Sequence, residues 1–155
     1  MSTPVDLLKN SIAIFTLGPE GTFSDEAARV FQKKPDLLCY SSSFAVVPIE
    51  NSVAGTVAQV QDALVSLDLV ILGEVSLPIT YSLLASADPK EIKNCYTHSQ
   101  AFEQTSRWSA KNLPQVSPQF TRSNIDSGLQ FLEKVEQGDE SVGAIVPVSF
   151  AMKHT

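Results

Sequence analysis

Metal-binding and disulfide chemistry have little to work with in this sequence. Of its 155 residues, two are cysteine and two are histidine. Cys39 and Cys95 lie far apart and form no CxxC pair and no disulfide framework, so both read as reduced thiols of a cytoplasmic protein. His98 and His154 belong to no ligand-spaced cluster, and no metal is expected. Basic residues are also scarce: 11 Lys and Arg face 17 Asp and Glu, for a net charge of −6. The densest basic spot is Lys33-Lys34. Nucleic acid is therefore a poor partner. Long-range attraction of an anion is missing too, so any anion site has to be local. No apolar run is long enough to span a bilayer, because Glu74, Ser76 and Pro78 interrupt residues 69–87. Residues 1–10 show no basic run followed by an apolar core and cleavage site, so neither a signal peptide nor a membrane partner is expected.

What is present suits a packed core. Apolar residues make up 43% of the chain, enough for one compact domain or two small lobes. Short apolar runs alternate with helical periodicity. Residues 12–17 read as a buried strand and 24–32 as a helix, with Ala27, Ala28 and Phe31 on one face and Asp25 and Glu26 in its first turn. Residues 44–49 read as a strand and 53–66 as a helix with Val57, Val60 and Leu64 inward. Residues 69–85 read as extended, with Pro78 marking a bend or an edge. The pattern then repeats: strand 94–97, helix 101–111, strand 115–120 weakened by Pro118, helix 124–136 with Ile125, Leu129 and Leu132 inward, a turn at Gln137-Gly138-Asp139, and strand 142–146 before a short tail. This alternation predicts an α/β fold with mainly parallel strands.

In such folds ligands gather where strands hand over to helices. The segment Gly18-Pro19-Glu20-Gly21-Thr22-Phe23-Ser24 supplies two glycines and two hydroxyls ahead of a helix. It fits either a glycine turn with a helix cap or a local anion site. Glu50, Asn51 and Ser52 follow the second strand. Asn51 and Ser52 are good caps, while Glu50 is either a surface carboxylate or a cleft residue able to hold a hydroxyl or give a proton. Thr97-His98-Ser99-Gln100 opens the third helix, with His98 either structural or ligand-binding. Thr121-Arg122-Ser123-Asn124 opens the fourth, and Arg122 is either a carboxylate partner or a solvated arginine.

Together these segments resemble the catalytic domain of prephenate dehydratase. The matching residues are GPEGTFS at 18–24 with Ala27-Ala28, VVPIENS at 46–52 with Gly55-Thr56-Val57, ILGE at 71–74 with LPI at 77–79, and THSQAFEQ at 97–104. They run in order over residues 12–152. The resemblance implies two small lobes, about 11–75 and 80–150, similar to type II periplasmic binding proteins, with the substrate between them. It implies a lyase that converts prephenate to phenylpyruvate, with loss of water and carbon dioxide, in phenylalanine biosynthesis. No cofactor is needed. By resemblance, Glu50 and His98 are the catalytic candidates, and Thr22, Asn51, Ser52, Gln100 and Ser123 the substrate-binding ones. The family tends to dimerise, so a homodimer is compatible with it.

The sequence also departs from the family. The Thr-Arg-Phe motif that follows the second lobe's last strand has no counterpart in these residues, and the C-terminal return segment is expected to be absent. Thr121-Arg122-Ser123 looks similar but precedes a helix, so the catalytic role is not transferred to it. Ser43 runs straight into Phe44 where the family usually has another helix. Ser99 stands where the family has proline, and Asn124-Ile125 replaces Thr-Ala. A regulatory ACT domain is expected to be absent, and with it feedback by phenylalanine. Two alternatives stay open: a non-catalytic module that binds prephenate or a similar carboxylate, and a decarboxylase that does not dehydrate. Prephenate and the closely similar arogenate are not distinguished.

Overall fold

The computed structural model describes residues 13–33 and 44–154. Ile12, Lys34, Cys39 and the Ser43 side of the junction with Phe44 lie outside those residues. The chain divides into two compact units, Met1–Leu77 and Pro78–Thr155.

In the first unit, strand β1 (Ile14–Thr16) pairs in parallel with β2 (Phe44–Val46), Ile14 opposite Phe44 and Thr16 opposite Val46. Helix α1 (Phe23–Gln32) lies between them in sequence and buries Ala28 and Phe31. Phe31 meets Phe44 edge to face at 6.4 Å, with Ile14, Val46 and Val75 packed around the pair. Strand β2 ends three residues earlier than expected, and the helix expected from residue 53 does not begin there. A small antiparallel hairpin intervenes, β3 (Glu50–Asn51) with β4 (Gly55–Thr56). Its turn is closed by Asn51, whose Oδ1 accepts from the backbone N–H of Val53 (2.9 Å) and of Ala54 (3.1 Å). Gly55 takes φ +78°, a left-handed conformation that suits glycine. Local side-chain bonding of this kind outcompetes helix formation. Helix α2 (Ala58–Ser66) follows and buries none of its side chains. Residues 67–80 carry no regular element.

The second unit is a four-stranded sheet. Its strands are β5 (Tyr81–Ala85), β6 (Asn94–Thr97), β7 (Ser117–Phe120) and β8 (Val142–Pro147), in spatial order β5-β8-β6-β7. Strand β6 runs parallel to β7 and β8, while β5 is antiparallel to β8. Within the sheet, β8 is buried at all six positions, as a strand covered on both faces must be. Alternate residues sort the helices. Val142, Ala144 and Val146 pack with residues of α4 (Asn124–Glu136) and α5 (Val148–His154), and Ile145 packs with Cys95 and with Ala101 of α3 (Ser99–Asn112). Pro118 is tolerated because β7 is an edge strand. On α4 the buried face is Ile125, Ser127, Gly128 and Phe131, with Leu132 half-buried. Leu129, expected inward, is 54% exposed, because Gly128 and Phe131 face α5 in its stead. Helix α4 ends as the turn signal predicts: Gly138 N–H donates to the Val135 carbonyl and Asp139 N–H to that of Lys134, with Gly138 left-handed. The chain is thus α/β with mainly parallel pairing, as expected.

Candidate functional site

Both sheets deliver polar segments to the carboxyl ends of their parallel strands. In the first unit Thr16 and Val46 lie side by side at the strand ends. The loop 17–22 and the segment 47–52 leave from there, carrying Thr22, Glu50, Asn51 and Ser52. In the second unit Thr97 lies opposite Phe120 at the ends of β6 and β7. From that end leave His98, Ser99 and Gln100, and next to them Thr121 to Asn124. A shallow depression lined by Lys90, Lys93, Gln115 and Glu140 sits at the opposite, amino end of β6 and β8 and holds none of the expected residues.

The loop before α1 is built from its own side chains. Gly18 takes φ +89°, and the Thr22 methyl packs 3.1 Å from where its Cβ would stand. Thr22 caps α1: its Oγ1 accepts from Asp25 N–H (3.3 Å) and donates to the Pro19 carbonyl (3.0 Å). Asp25 reaches back to accept from Gly21 N–H (3.0 Å). Arg29 pairs with Asp25 and Glu20, and its guanidinium is held charged chiefly by Asp25. The hydroxyl of Thr22 and the N-terminus of α1 are therefore already occupied by groups of this chain.

The loop before α4 repeats the device. Ser123 Oγ accepts from Asp126 N–H (3.1 Å), and Asp126 accepts from Arg122 N–H (3.1 Å). Thr121 is structural: its hydroxyl shares a 2.7 Å hydrogen bond with that of the buried Ser127 and donates to the Ser123 carbonyl. The Arg122 side chain is exposed.

Helix α3 is different. Its cap residue His98 makes no side-chain capping bond, and its first turn holds no acidic residue. Ser99 and Gln100 are exposed, and His98 is half-buried. The first turn of α3 thus brings no carboxylate to the backbone N–H groups that open it, and a helix N-terminus in that state favours an anion. Helix α2 also lacks a side-chain cap and first-turn acid. The expected handover at Glu50-Asn51-Ser52 is corrected here, since those residues form a hairpin six residues or more before α2 and do not cap it. Glu50 and Ser52 are exposed, and Asn51 spends its Oδ1 on the turn.

One polar residue at this end of the second sheet escapes sequence reasoning. Tyr81 opens β5 opposite Pro147 at the end of β8 and packs against the cluster of Cys95, Ala101 and Ile145, and burial is the main cause that pushes its phenol up. A polar aromatic just after Pro78 was the one signal available. Cys95 lies beneath α3, 3% exposed, and burial pushes its thiol up to about 12. Among the described residues, no helix is long and apolar enough to cross a membrane.

Comparison with known proteins identifies the architecture. The family model for prephenate dehydratase matches residues 14–155. The bifunctional chorismate mutase/prephenate dehydratase of Stutzerimonas stutzeri is 33% identical over 136 residues, covering 77% of this chain and 37% of that protein. The prephenate dehydratase of Lactococcus lactis subsp. cremoris is 32% identical over 151 residues, covering 88% and 53%. Among solved structures, the prephenate dehydratase of Staphylococcus aureus Mu50 superposes with a TM-score of 0.69 at 28% identity, over 92% of this chain and 57% of that one. The enzyme from Arthrobacter aurescens, in complex with L-Phe, gives 0.68 at 27% identity, over 92% and 52%. The chain spans about half the length, or less, of these relatives. Its fold is the one expected, similar to type II periplasmic binding proteins. The chain belongs to the prephenate dehydratase family.

Proposed function

We propose that this chain is a prephenate dehydratase of phenylalanine biosynthesis. The prephenate dianion takes up one proton and gives phenylpyruvate, carbon dioxide and water. The bond to the ring carboxylate breaks, its electron pair enters the ring, and the ring hydroxyl departs with the added proton. Aromatisation drives the step, so the protein has to hold two carboxylates and assist the leaving hydroxyl. His98 gives the proton, and Glu50 orients the ring hydroxyl as a hydrogen-bond acceptor. Gln100, Ser123, Asn51 and Ser52 are the substrate-binding donors. Thr22 binds through the loop it shapes.

The observation that carries this reading is the contrast among helix N-termini. Helices α1 and α4 are closed by a hydroxyl and an aspartate of the chain itself; α3, like α2, lacks both, and α3 is the one of the two that opens beside His98 and Gln100. A neutral, local anion site is what an acidic protein needs to hold an acidic substrate. The test is direct: incubate the chain with prephenate and follow phenylpyruvate. His98→Ala and Glu50→Gln are each expected to lower kcat/KM by about 10²–10⁴. Saturable binding without product would sink the enzyme reading and leave a binding module; carbon dioxide without dehydration would indicate a decarboxylase.

The buried free thiol of Cys95 supports a cytoplasmic setting. A homodimer is the second part of this proposal. Six large aliphatic side chains in residues 65–72 are exposed, from Leu72 at 45% to Val65 at 90%, and an apolar run of that kind calls for a cover. Sedimentation of the wild type and of Val70→Lys decides it: a dimer lost in the variant supports the assignment, and a wild-type monomer at high concentration removes it.

A further inference from the structure

We infer that Phe120 is a substrate-binding residue, its ring steadied by Phe102 and its open face taking the six-membered ring of the ligand at the carboxyl end of the second unit's sheet. This rests on the activity proposed above and adds a residue outside the motif segments.

Position comes first. Phe120 is the last residue of β7 and stands opposite Thr97, the last residue of β6. Thr121 N–H donates to the Thr97 carbonyl (3.0 Å), so the two strands stay joined up to the point where His98 begins. Phe102 reaches the same place from α3. Its N–H donates to the His98 carbonyl (2.9 Å), which sets it one helical turn past His98. The two phenylalanine rings meet edge to face, with centroids 5.8 Å apart and planes at 85°. His98 is thus tied through the backbone to both members of the pair: its neighbour Thr97 faces Phe120, and its own carbonyl receives Phe102.

Chemistry comes second. Phe102 is half-buried, while Phe120 is 63% exposed. Closing an edge strand against α3 asks for an apolar side chain, not for an aromatic one left mostly in solvent. A ring beside the polar residues of a ligand site has a use, since apolar and aromatic walls hold a ligand while a few polar groups orient it. Whichever ring presents its edge, at least one face of Phe120 stays clear of Phe102 and is available for stacking. The ligand changes shape in a way that such a face can read. In prephenate the ring carbon that bears the carboxylate is tetrahedral, with the carboxylate on one side and the pyruvyl arm on the other, so neither face is flat. Loss of carbon dioxide and of the hydroxyl makes the ring planar and aromatic. Phe120 therefore gains contact as the ring flattens, and favours the aromatic form over the diene.

The experiment measures binding of phenylpyruvate and of 3-cyclohexylpyruvate by calorimetry to the wild type, Phe120→Leu and Trp108→Leu. The two acids share one carboxylate and differ only in the ring. The wild type is expected to bind phenylpyruvate about fivefold more tightly than its saturated counterpart, and Phe120→Leu is expected to bind both alike at unchanged Tm. Trp108→Leu removes an exposed aromatic farther along α3 and is expected to keep the wild-type preference. In parallel, NMR of ring-labelled phenylalanine follows Phe120 in the wild type, and saturating phenylpyruvate is expected to move its ring signals upfield, as a stacked aromatic ring does. Equal affinities in the wild type, a preference that survives Phe120→Leu, or Phe120 signals that phenylpyruvate leaves in place overturn the assignment and leave the activity reading standing. A wild type that binds neither acid also overturns the assignment, and one that in addition forms no phenylpyruvate from prephenate overturns both.

Discussion

The two units use the same local grammar and reach different degrees of burial. Each starts a helix with a hydroxyl cap and an aspartate three residues on that reaches back across it: Thr22 with Asp25, and Ser123 with Asp126. Beyond that they part. The second unit closes a cluster of eight buried residues around its central strand β8. In the described part of the first unit the corresponding cluster is Phe31 with Phe44. Twelve of the described large apolar side chains that remain exposed belong to the first unit and five to the second. Helix signals are therefore not what separates them. A central strand covered on both faces is, because burial of that kind supplies most of a domain's stability.

Thiol chemistry gives the largest contrast between closed and open forms of the second unit. With its thiol raised to about 12, Cys95 at pH 8 holds roughly 10³-fold less thiolate than an ordinary cysteine. Its alkylation is expected only when the unit opens, followed by mass spectrometry of the Cys95 peptide. The sign for stability follows from the raised value. The native state prefers the protonated thiol, so this contribution is present below the ordinary cysteine range and is lost as pH rises toward 12. Rapid labelling at neutral pH would mean that the second unit is as loosely closed as the comparison makes the first.

A matched pair of truncations tests the comparison itself. Phe131 and Phe31 are each 7% exposed. Phe131→Ala removes a ring from the large cluster and is expected to cost ~3–5 kcal/mol. Phe31→Ala acts on a small cluster that can collapse around the loss, and about half that cost is expected. Unit-resolved hydrogen exchange reads both. Equal costs would break the argument from core size.

Gly128→Ala probes the tightest contact of the second unit. An added Cβ would fall within the Phe150 ring, so α5 has to shift, at about 1–3 kcal/mol. Phe150→Leu in the same chain is expected to recover part of it, since the two sites share one contact. A Gly128→Ala protein with unchanged denaturation midpoint would mean that α5 is not held against α4.

Legibility follows the same divide. Strand 94–97 and helix 124–136 have the bounds the sequence predicts, because each is a continuous pattern closed by strong signals, Gly138 among them. In the first unit the periodicity of Val57, Val60 and Leu64 suggests a helix from residue 53, but Asn51 and Gly55 fold those residues into a hairpin. The two effects compete within a few residues, and periodicity alone does not rank them. Leu129 fails for a different reason: which stripe of α4 turns inward depends on α5, a partner distant in sequence. Of the candidate site, the motif segments are visible in the chain. The packing of Tyr81 against Cys95, Ala101 and Ile145 is not, since it joins elements distant in sequence.

The smallest effect is the most diagnostic of how the first unit is held. Thr22→Ala and Ser123→Ala remove equivalent caps with nearly equal geometry, 3.3 Å and 3.1 Å to the aspartate N–H. On local grounds each is expected to cost about 1 kcal/mol. Ser123 reports into a helix packed on β8, so its loss is expected in the global unfolding of the second unit. Thr22 reports into a helix with two buried residues. Its loss is expected chiefly as faster exchange of the α1 amides, with less change in the denaturation midpoint. Equal shifts in both readouts would mean that α1 unfolds only with its whole unit, and that the first unit is as cooperative as the second despite its exposed apolar surface.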